Sequence, residues 1–600
     1  MTVSQTVTFT AIVTNDVGGQ GVTWGTTLGS LGMQTATSAA LTVNAGAGMY
    51  SVTATSKADS SKSAAATVAA TDLAGVFTYH NDLSRTGANV KEYALTTASV
   101  AGATFGKQFS CAVDGAIYAQ PLWIANLTVS GTKHNVVFVA TQHDTVYAFD
   151  ADTNENPCAP LWQASLVDAN HGGVSGETWV SSSDVSCGDT SPDIGIVGTP
   201  VIDPVSNIMY VVSKSKNSSA VPFNQKLHAL DIATGMEKVA PMTISATALG
   251  NGNGSVGGVL TFDPLLNNER SALLVENGHV IIGWASHCDN GAYEGWVMSY
   301  NATTLAQEAV LNTAPNGALA GVWMSGAGPA ADSSGNIYLA TGNGTFDAGG
   351  AAPNNDYGDS VLKLGPPSGG TFPVLSYFTP KSQATLEAED GDQGSGGALL
   401  FPTVGAHNYL AQAGKEGNLY VANQASLGGY STTSNNVVQE LAGALPGGVW
   451  GAPAYWNGNL YYGSTSSPLW AFSFDAVSTA SLSSSFTSAT ALSFVFPAPT
   501  PSVSSSGTSN GIVWALDDTN YCTNQSLACL PAVLHAYDAT NLAHELWNSS
   551  QSASDTAGLA VKFTVPTIAN GRVYVGTRGN DKGFGSSNPG ELDVYGLKSN

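Results

Sequence analysis

The chain predicts an all-β protein: a β-propeller of eight blades, with seven as the alternative, preceded by a small β-sandwich. Three observations carry this. Short apolar runs such as Val136–Ala140 are broken up by polar loops, and 68 Gly and 26 Pro favour many short strands and turns. Strand starts recur every several tens of residues. Five sit at or near a small-residue–proline step, at Pro121, Pro200, Pro329, Pro453 and Pro566; less regular ones are Gly257-Gly258-Val259, Gly396-Gly397-Ala398 and Pro501. A turn also recurs in near copies: AFDADTN (148–154), ALDIATG (229–235) and AYDATN (536–541). One such unit cannot bury its own apolar faces, so its copies must pack beside it.

The first element is residues 1–72. Val7, Phe9, Ala11 and Val13 alternate with Thr8, Thr10 and Ile12, and Tyr50, Val52 and Ala54 repeat the pattern. Period-two alternation with Gly/Ser turns reads as a β-sandwich. It resembles the bacterial immunoglobulin-like repeats of secreted surface proteins, with its first strand missing or trimmed. Residues 73–104 form a connector containing TYHNDLSRTGAN (78–89), dense in polar groups. His80, Asp82 and Arg85 there read as a docking segment in preference to a site.

Residues 105–600 make the propeller. After each start comes a strand such as Ile208–Val212, Ile337–Ala340 or Arg572–Val575, then a third strand that ends in the repeated turn. The last unit, from Phe563 to Leu597, has three clear strands. Phe105–Val113 supplies its fourth and closes the ring, which removes most sheet edges. The Ser-rich stretch Ser478–Ser506 is poorly patterned, which keeps seven blades open. The repeat A-x-D-x-x-T-G followed by Trp, with Trp162 and Trp547 in place, is similar to that of the quinoprotein alcohol dehydrogenase-like propellers. That resemblance implies the fold. It does not by itself imply the cofactor, because the same repeat builds non-catalytic scaffolds.

Composition narrows the function. The chain has 600 residues, 43 % hydrophobic and 10 % charged, with formal net charge −24. Nucleic acid and anionic membrane are therefore disfavoured partners. No stretch reaches the roughly 18 apolar residues of a membrane span. Met1 leads straight into a strand pattern, with no signal peptide legible. Six cysteines suit an oxidising compartment, so the expected location is secreted or cell-surface. Cys522 with Cys529 and Cys158 with Cys187 read as loop staples. Cys111 and Cys288 remain, and connectivity stays open.

The blade grammar predicts one functional face. First-to-second and third-to-fourth connections are tight turns, whereas second-to-third loops and inter-blade links are long and emerge together. On that face fall the ligand-binding candidates Gln142, His143, Trp323, Asn343, Lys415, Trp450 and Arg578. Trp323 and Trp450 each end a Gly-Val-Trp just before a strand, which puts both indoles near the mouth of the central channel. Aromatic faces beside carboxylates and amides suit sugar rings or a flat cofactor. His287 and Asp289 are acid–base candidates. Asp390 and Asp392 in EDGDQGSGG are candidates for catalysis or for a metal. DADTN at Asp150 resembles the start of a calcium loop, but it lacks the sixth-position Gly and the twelfth-position Glu.

For a quinone cofactor the resemblance implies a calcium ion, a catalytic carboxylate and, in one large class, adjacent cysteines. No adjacent cysteines and no Cys-x-x-Cys-His motif are present. The cofactor is left open, with calcium as one option and the quinone (PQQ) a weaker one. No Gly-x-Ser-x-Gly elbow or phosphate-binding glycine loop stands out. The favoured expectation is binding of an extracellular polymer, a polysaccharide first, or of a small molecule on the long-loop face. The alternatives are a PQQ- and calcium-dependent dehydrogenase of alcohols or sugars, a carboxylate-driven lyase or hydrolase, and a structural component of the cell surface.

Overall fold

The computed structural model describes the chain except residues 28, 45, 154–157, 219–221, 351–354, 404, 406, 478, 522–528, 579–589 and 599–600. Residues 1–71 form two three-stranded antiparallel sheets. Thr6–Thr10, Ser38–Thr42 and Ser30–Gly32 form one; Val22–Thr26, Gly48–Ser56 and Ser63–Ala70 form the other. The alternation turns Leu41, Tyr50 and Val52 into a shared core, with Phe9 and Trp24 packed against it. This unit docks through Thr2 and Gln5, whose side chains bond Asn135 and Asp152 of the first blade.

Among the described residues, eight blade sheets follow, each built around a run of antiparallel strands. Blade one joins Leu122–Val129, Thr132–Ala140, Thr145–Asp150 and Pro160–Ser165 in order. In the last blade Thr567–Ala569, Arg572–Thr577 and Gly590–Leu597 are joined by Phe105–Val113, as the sequence predicts. The register runs from Gly590 opposite Val113 to Leu597 opposite Phe105. The Ser-rich stretch does form strands: Ser488–Phe494 at the outer side of blade six and Ser502–Ser506 in blade seven. The Gly257-Gly258-Val259 start is corrected. Val259–Thr261 pairs with Thr247–Leu249 in a separate two-stranded sheet, and Asn267–Glu269 and Leu274–Glu276 line the inner side of blade three. The alternation in Val259–Thr261 is too short to separate an inner strand from a hairpin.

The repeat motif has a physical reason. The turn closing Phe223–Asp231 needs a left-handed residue at Gly235 (φ +72°), and a Cβ there would lie 2.6 Å from the Trp162 ring. Trp162 Nε1 donates to the Ile232 carbonyl of the same turn at 3.0 Å. Glycine lets the neighbouring blade's half-buried tryptophan lie against the turn, and covering part of such a ring stabilises by about 1–2 kcal/mol. Between blades one and two, Val136, Phe138 and Val146 pack against Ile202, Met209 and Val211.

The connector does more than dock. Gly75–Val76 and Ala88–Asn89 add a fifth, innermost strand to blades one and seven. Between them the chain crosses the tight-turn end of the channel and takes backbone bonds from inner strands in turn. Ile202 N donates to Phe77, Ala331 N to Leu83, Leu400 N to Ser84, Tyr455 N to Thr86 and Val503 N to Gly87. Arg85, fully buried, donates to the Pro329 carbonyl (2.6 and 2.9 Å), Thr78 Oγ1 (2.6 Å) and the Tyr79 carbonyl (2.8 Å). His80, also buried, spans the Arg85 and Pro501 carbonyls at 3.1 and 2.9 Å. Residues 77–89 plug one end of the channel.

The disulfides correct one expectation. Cys158 pairs with Cys111 and Cys187 with Cys288, at Cα separations of 5.2 and 5.7 Å. Strand pairing explains this. Cys111 lies on the closing strand beside blade one, and the long 165–198 link carries Cys187 to the loop of blade three. Cys529 is also disulfide-bonded, and Cys522 lies outside the described residues. No helix among the described residues is long and apolar enough to cross a membrane.

Candidate functional site

The other end of the channel opens as a funnel of about 200 Å³. Its wall comes from the long links and loops of several blades. One side is aromatic: Trp323, Trp450, Phe496 and Phe563 are all half-buried. Trp450 and Phe563 each meet Phe496 edge-on, with ring centroids 5.2 and 6.0 Å apart. The backbone beneath is held in the left-handed region at Met324, Ser325 and Phe563 (φ 46°, 48° and 68°). Strain of this kind in non-glycine residues collects where a fold fixes a functional geometry. Gly342 allows the closest approach in the wall, because a Cβ there would lie 2.3 Å from Asp392 Oδ1 and 2.6 Å from the Trp323 ring.

A second side is acidic. Lys415 Nζ sits between Asp390 and Asp392, at 2.8 and 2.7 Å. Burial pushes the Asp392 carboxyl up, with Lys415 opposing. Burial works against the Lys415 ammonium too, but Asp392 and Asp390 outweigh it and hold its pKa above the usual lysine value. Asp289 is exposed and accepts from Tyr293 Oη; burial of its surroundings raises its carboxyl. The third side is cationic. Arg270 and Lys562 lie over the Phe563 ring, 5.0 and 5.4 Å from its centroid. Lys562 Nζ is 3.3 Å from Asp189, whose side chain is 59 % exposed.

Three of the seven predicted ligand residues, Trp323, Trp450 and Lys415, line this funnel; the rest do not. Buried His143 stacks on Trp179 at 4.0 Å and bonds Asp193 at 2.9 Å. Gln142 is buried beside it, its backbone N–H on the Ala116 carbonyl. Asn343 lies behind the wall, its N–H on Asp392 Oδ1 at 2.7 Å. Arg578 is buried against the Ser191 carbonyl and Tyr118. The loop turns His287 away from Asp289: its Nε2 accepts from Lys214 Nζ at 2.7 Å, and burial holds its pKa well below the usual histidine value.

Sequence reasoning missed Arg270, Lys562, Phe496 and Phe563. A signal was present for Phe563, which precedes Pro566 by the same three residues that separate Trp450 from Pro453. The alternation that aims Arg270 at the funnel follows a strand of three residues, too short to be read from sequence. Asn268 and Arg270 face the funnel, while Glu269 between them turns to the Gly198 N–H at 3.2 Å.

The donor set does not fit a calcium ion. Asp390 and Asp392 already share the Lys415 ammonium, which stands between them at the position a cation would need. Among the described residues, the gathered ligand types are Cys187, Asp189 and Cys288, and both cysteines are tied in one disulfide. Asp150 accepts from Asp152 N–H and His134 within the blade turn.

The sequence matches no family profile and no curated protein. The fold is similar to that of a quinohemoprotein alcohol dehydrogenase from Comamonas testosteroni, with TM-score 0.56 and 15 % identity over 88 % of this chain and 81 % of that one. A quinohemoprotein alcohol dehydrogenase from Pseudomonas putida gives TM-score 0.54 and 13 % identity, with the same coverages. Identity this low speaks for architecture alone. The chain has a β-propeller fold similar to that of these quinohemoprotein alcohol dehydrogenases.

Proposed function

We propose that the chain is a carbohydrate-binding propeller whose funnel takes one sugar unit of an extracellular polymer. The observation that carries this is the juxtaposition of four half-buried aromatic rings with the carboxylates of Asp189, Asp289 and Asp390 around one opening. Ring faces stack on the C–H faces of a sugar, and carboxylates accept from its hydroxyls. At about 200 Å³ the funnel is smaller than the roughly 300–1,000 Å³ of clefts for drug-sized ligands. One ring enters and the rest of the polymer stays outside. The plug closes the far end, so the funnel is a binding cup and not a conduit. Disulfides support a location in an oxidising compartment.

The test is retention on polysaccharide affinity gels. Wild type is retarded, and Trp323→Ala with Trp450→Ala abolishes the retardation. Unchanged retention in the double variant removes the funnel as the site. The competing oxidoreductase reading rests on the shared fold. It is tested by adding PQQ and calcium and following absorbance and dye-linked oxidation of alcohols and sugars. Stoichiometric uptake with turnover would replace the binding reading.

A further inference from the structure

We infer that the sugar seated in the funnel is acidic, its carboxylate held by Arg270; this rests on the carbohydrate reading above. Arg270 is 5 % exposed, and its Nη1 and Nη2 are buried with no hydrogen-bond partner among the described residues, although the residue lines the funnel. An uncompensated buried guanidinium is destabilising by several kcal/mol. A fold with so few cations does not keep one there for packing, since a leucine or methionine would fill the same space.

The surroundings are set for an anion. Lys562 shares the Phe563 face with Arg270, and the nearby carboxylate, Asp189, is largely in water and 3.3 Å from Lys562. Beside the two cations stand this hydrated acid and the buried Glu269, which turns away to accept from the Gly198 N–H. A carboxylate matches the planar fork of the two free Nη groups, accepting two parallel bonds.

The rest of the funnel has the opposite character. Asp390 and Asp392 together outnumber Lys415, and Asp289 adds a further acid beside them. A ligand with an anionic group at one end and hydroxyl donors at the other meets both sides. A uronic acid is such a ligand: a pyranose with a ring-borne carboxylate, hydroxyls for Asp289 and Asp390, and a C–H face for Trp323 or Trp450. The net charge of −24 repels long polyanions, so one acidic residue per site, within or at the end of a mostly neutral chain, is the matching substrate class.

The experiment titrates the whole protein, by calorimetry, with D-glucuronate and D-galacturonate against D-glucose and D-galactose. The acidic sugars are expected to bind at least about tenfold more tightly than their neutral counterparts, the effect of one charged bidentate pair. Arg270→Gln removes that preference, so that acidic and neutral sugars bind within about twofold of each other; Arg270→Lys restores part of it. Near-UV circular dichroism checks that each variant is folded. Equal binding of acidic and neutral sugars by wild type overturns the acidic assignment and leaves the carbohydrate site standing. An unchanged preference in folded Arg270→Gln also overturns it. Binding of neither class overturns both readings.

Discussion

Two arginines lie against the same short stretch of chain, and the fold treats them in opposite ways. A Cβ on Gly328 would lie 2.9 Å from Arg85 Nη2, and one on Gly326 would lie 3.3 Å from Arg270 Nη1. Arg85 faces the plugged end of the channel, and its guanidinium donates to Pro329, Thr78 and Tyr79. Arg270 faces the open end, where Nη1 and Nη2 donate to nothing among the described residues. Burial pulls both pKa values down, Arg85 to about 10. Both side chains are buried, and they differ in their partners and in the open funnel beside Arg270. A buried charge with carbonyls around it is a building element; one without them is a group kept for something that arrives later.

Substitutions can break this contrast. Arg85→Ala strands the Pro329 and Tyr79 carbonyls and should lower apparent stability by about 3–5 kcal/mol, read by chemical denaturation. A loss below about 1 kcal/mol would show that the plug does not hold the ring. Glu269→Gln should show the next largest effect, and only at high pH. Burial lifts the Glu269 carboxyl to about 8, opposed by the Gly198 N–H. The folded chain therefore keeps this proton while the unfolded chain loses it above about pH 4.5, and stability falls as pH rises from there to about 8. The glutamine variant should match the parent at pH 4 and exceed it by on the order of 2 kcal/mol at pH 9. Identical melting curves at pH 9 would contradict this.

Arg270→Ala sharpens the contrast at the small end. It removes a buried charge that bonds nothing, so stability should rise, the gain held to about 1 kcal/mol by the cavity the side chain leaves. A loss comparable to that of Arg85→Ala would mean that both arginines serve the scaffold. The smallest effect is expected from calcium: with Lys415 between Asp390 and Asp392, millimolar calcium should move the melting temperature by less than about 1 °C. A rise of several degrees would reopen the divalent-cation site.

What was legible in the sequence divides along similar lines. The blade turns could be read because their chemistry is local: Asp231, Gly235 and Trp162 announce a turn and its lid by residue type alone. The closing strand could be counted as the missing fourth of the last unit. Trp323 and Trp450 could be placed because both follow the same step before a strand. The plug could not, because its partners, from Ile202 to Val503, are backbone groups far along the chain with no side-chain signature. His143 and Arg578 carry the right chemistry on the right face, yet inter-blade links fold over and bury them. Arg270 was hidden in NNER, where a strand of three residues is too short to show its alternation.

The plug precedes the propeller in the chain, and this order bears on how the molecule assembles. Residues 77–89 leave the ribosome before any complete blade exists, and they hold the bonding positions that blades two and four to seven later occupy. The ring therefore winds around a core strand already present, and no tail has to thread a closed annulus. The clasp of Gly590–Leu597 onto Phe105–Val113 forms only after residues 590–597 are made. Until then the newest blade keeps an open edge, the period in which a nascent propeller is most exposed to wrong pairing.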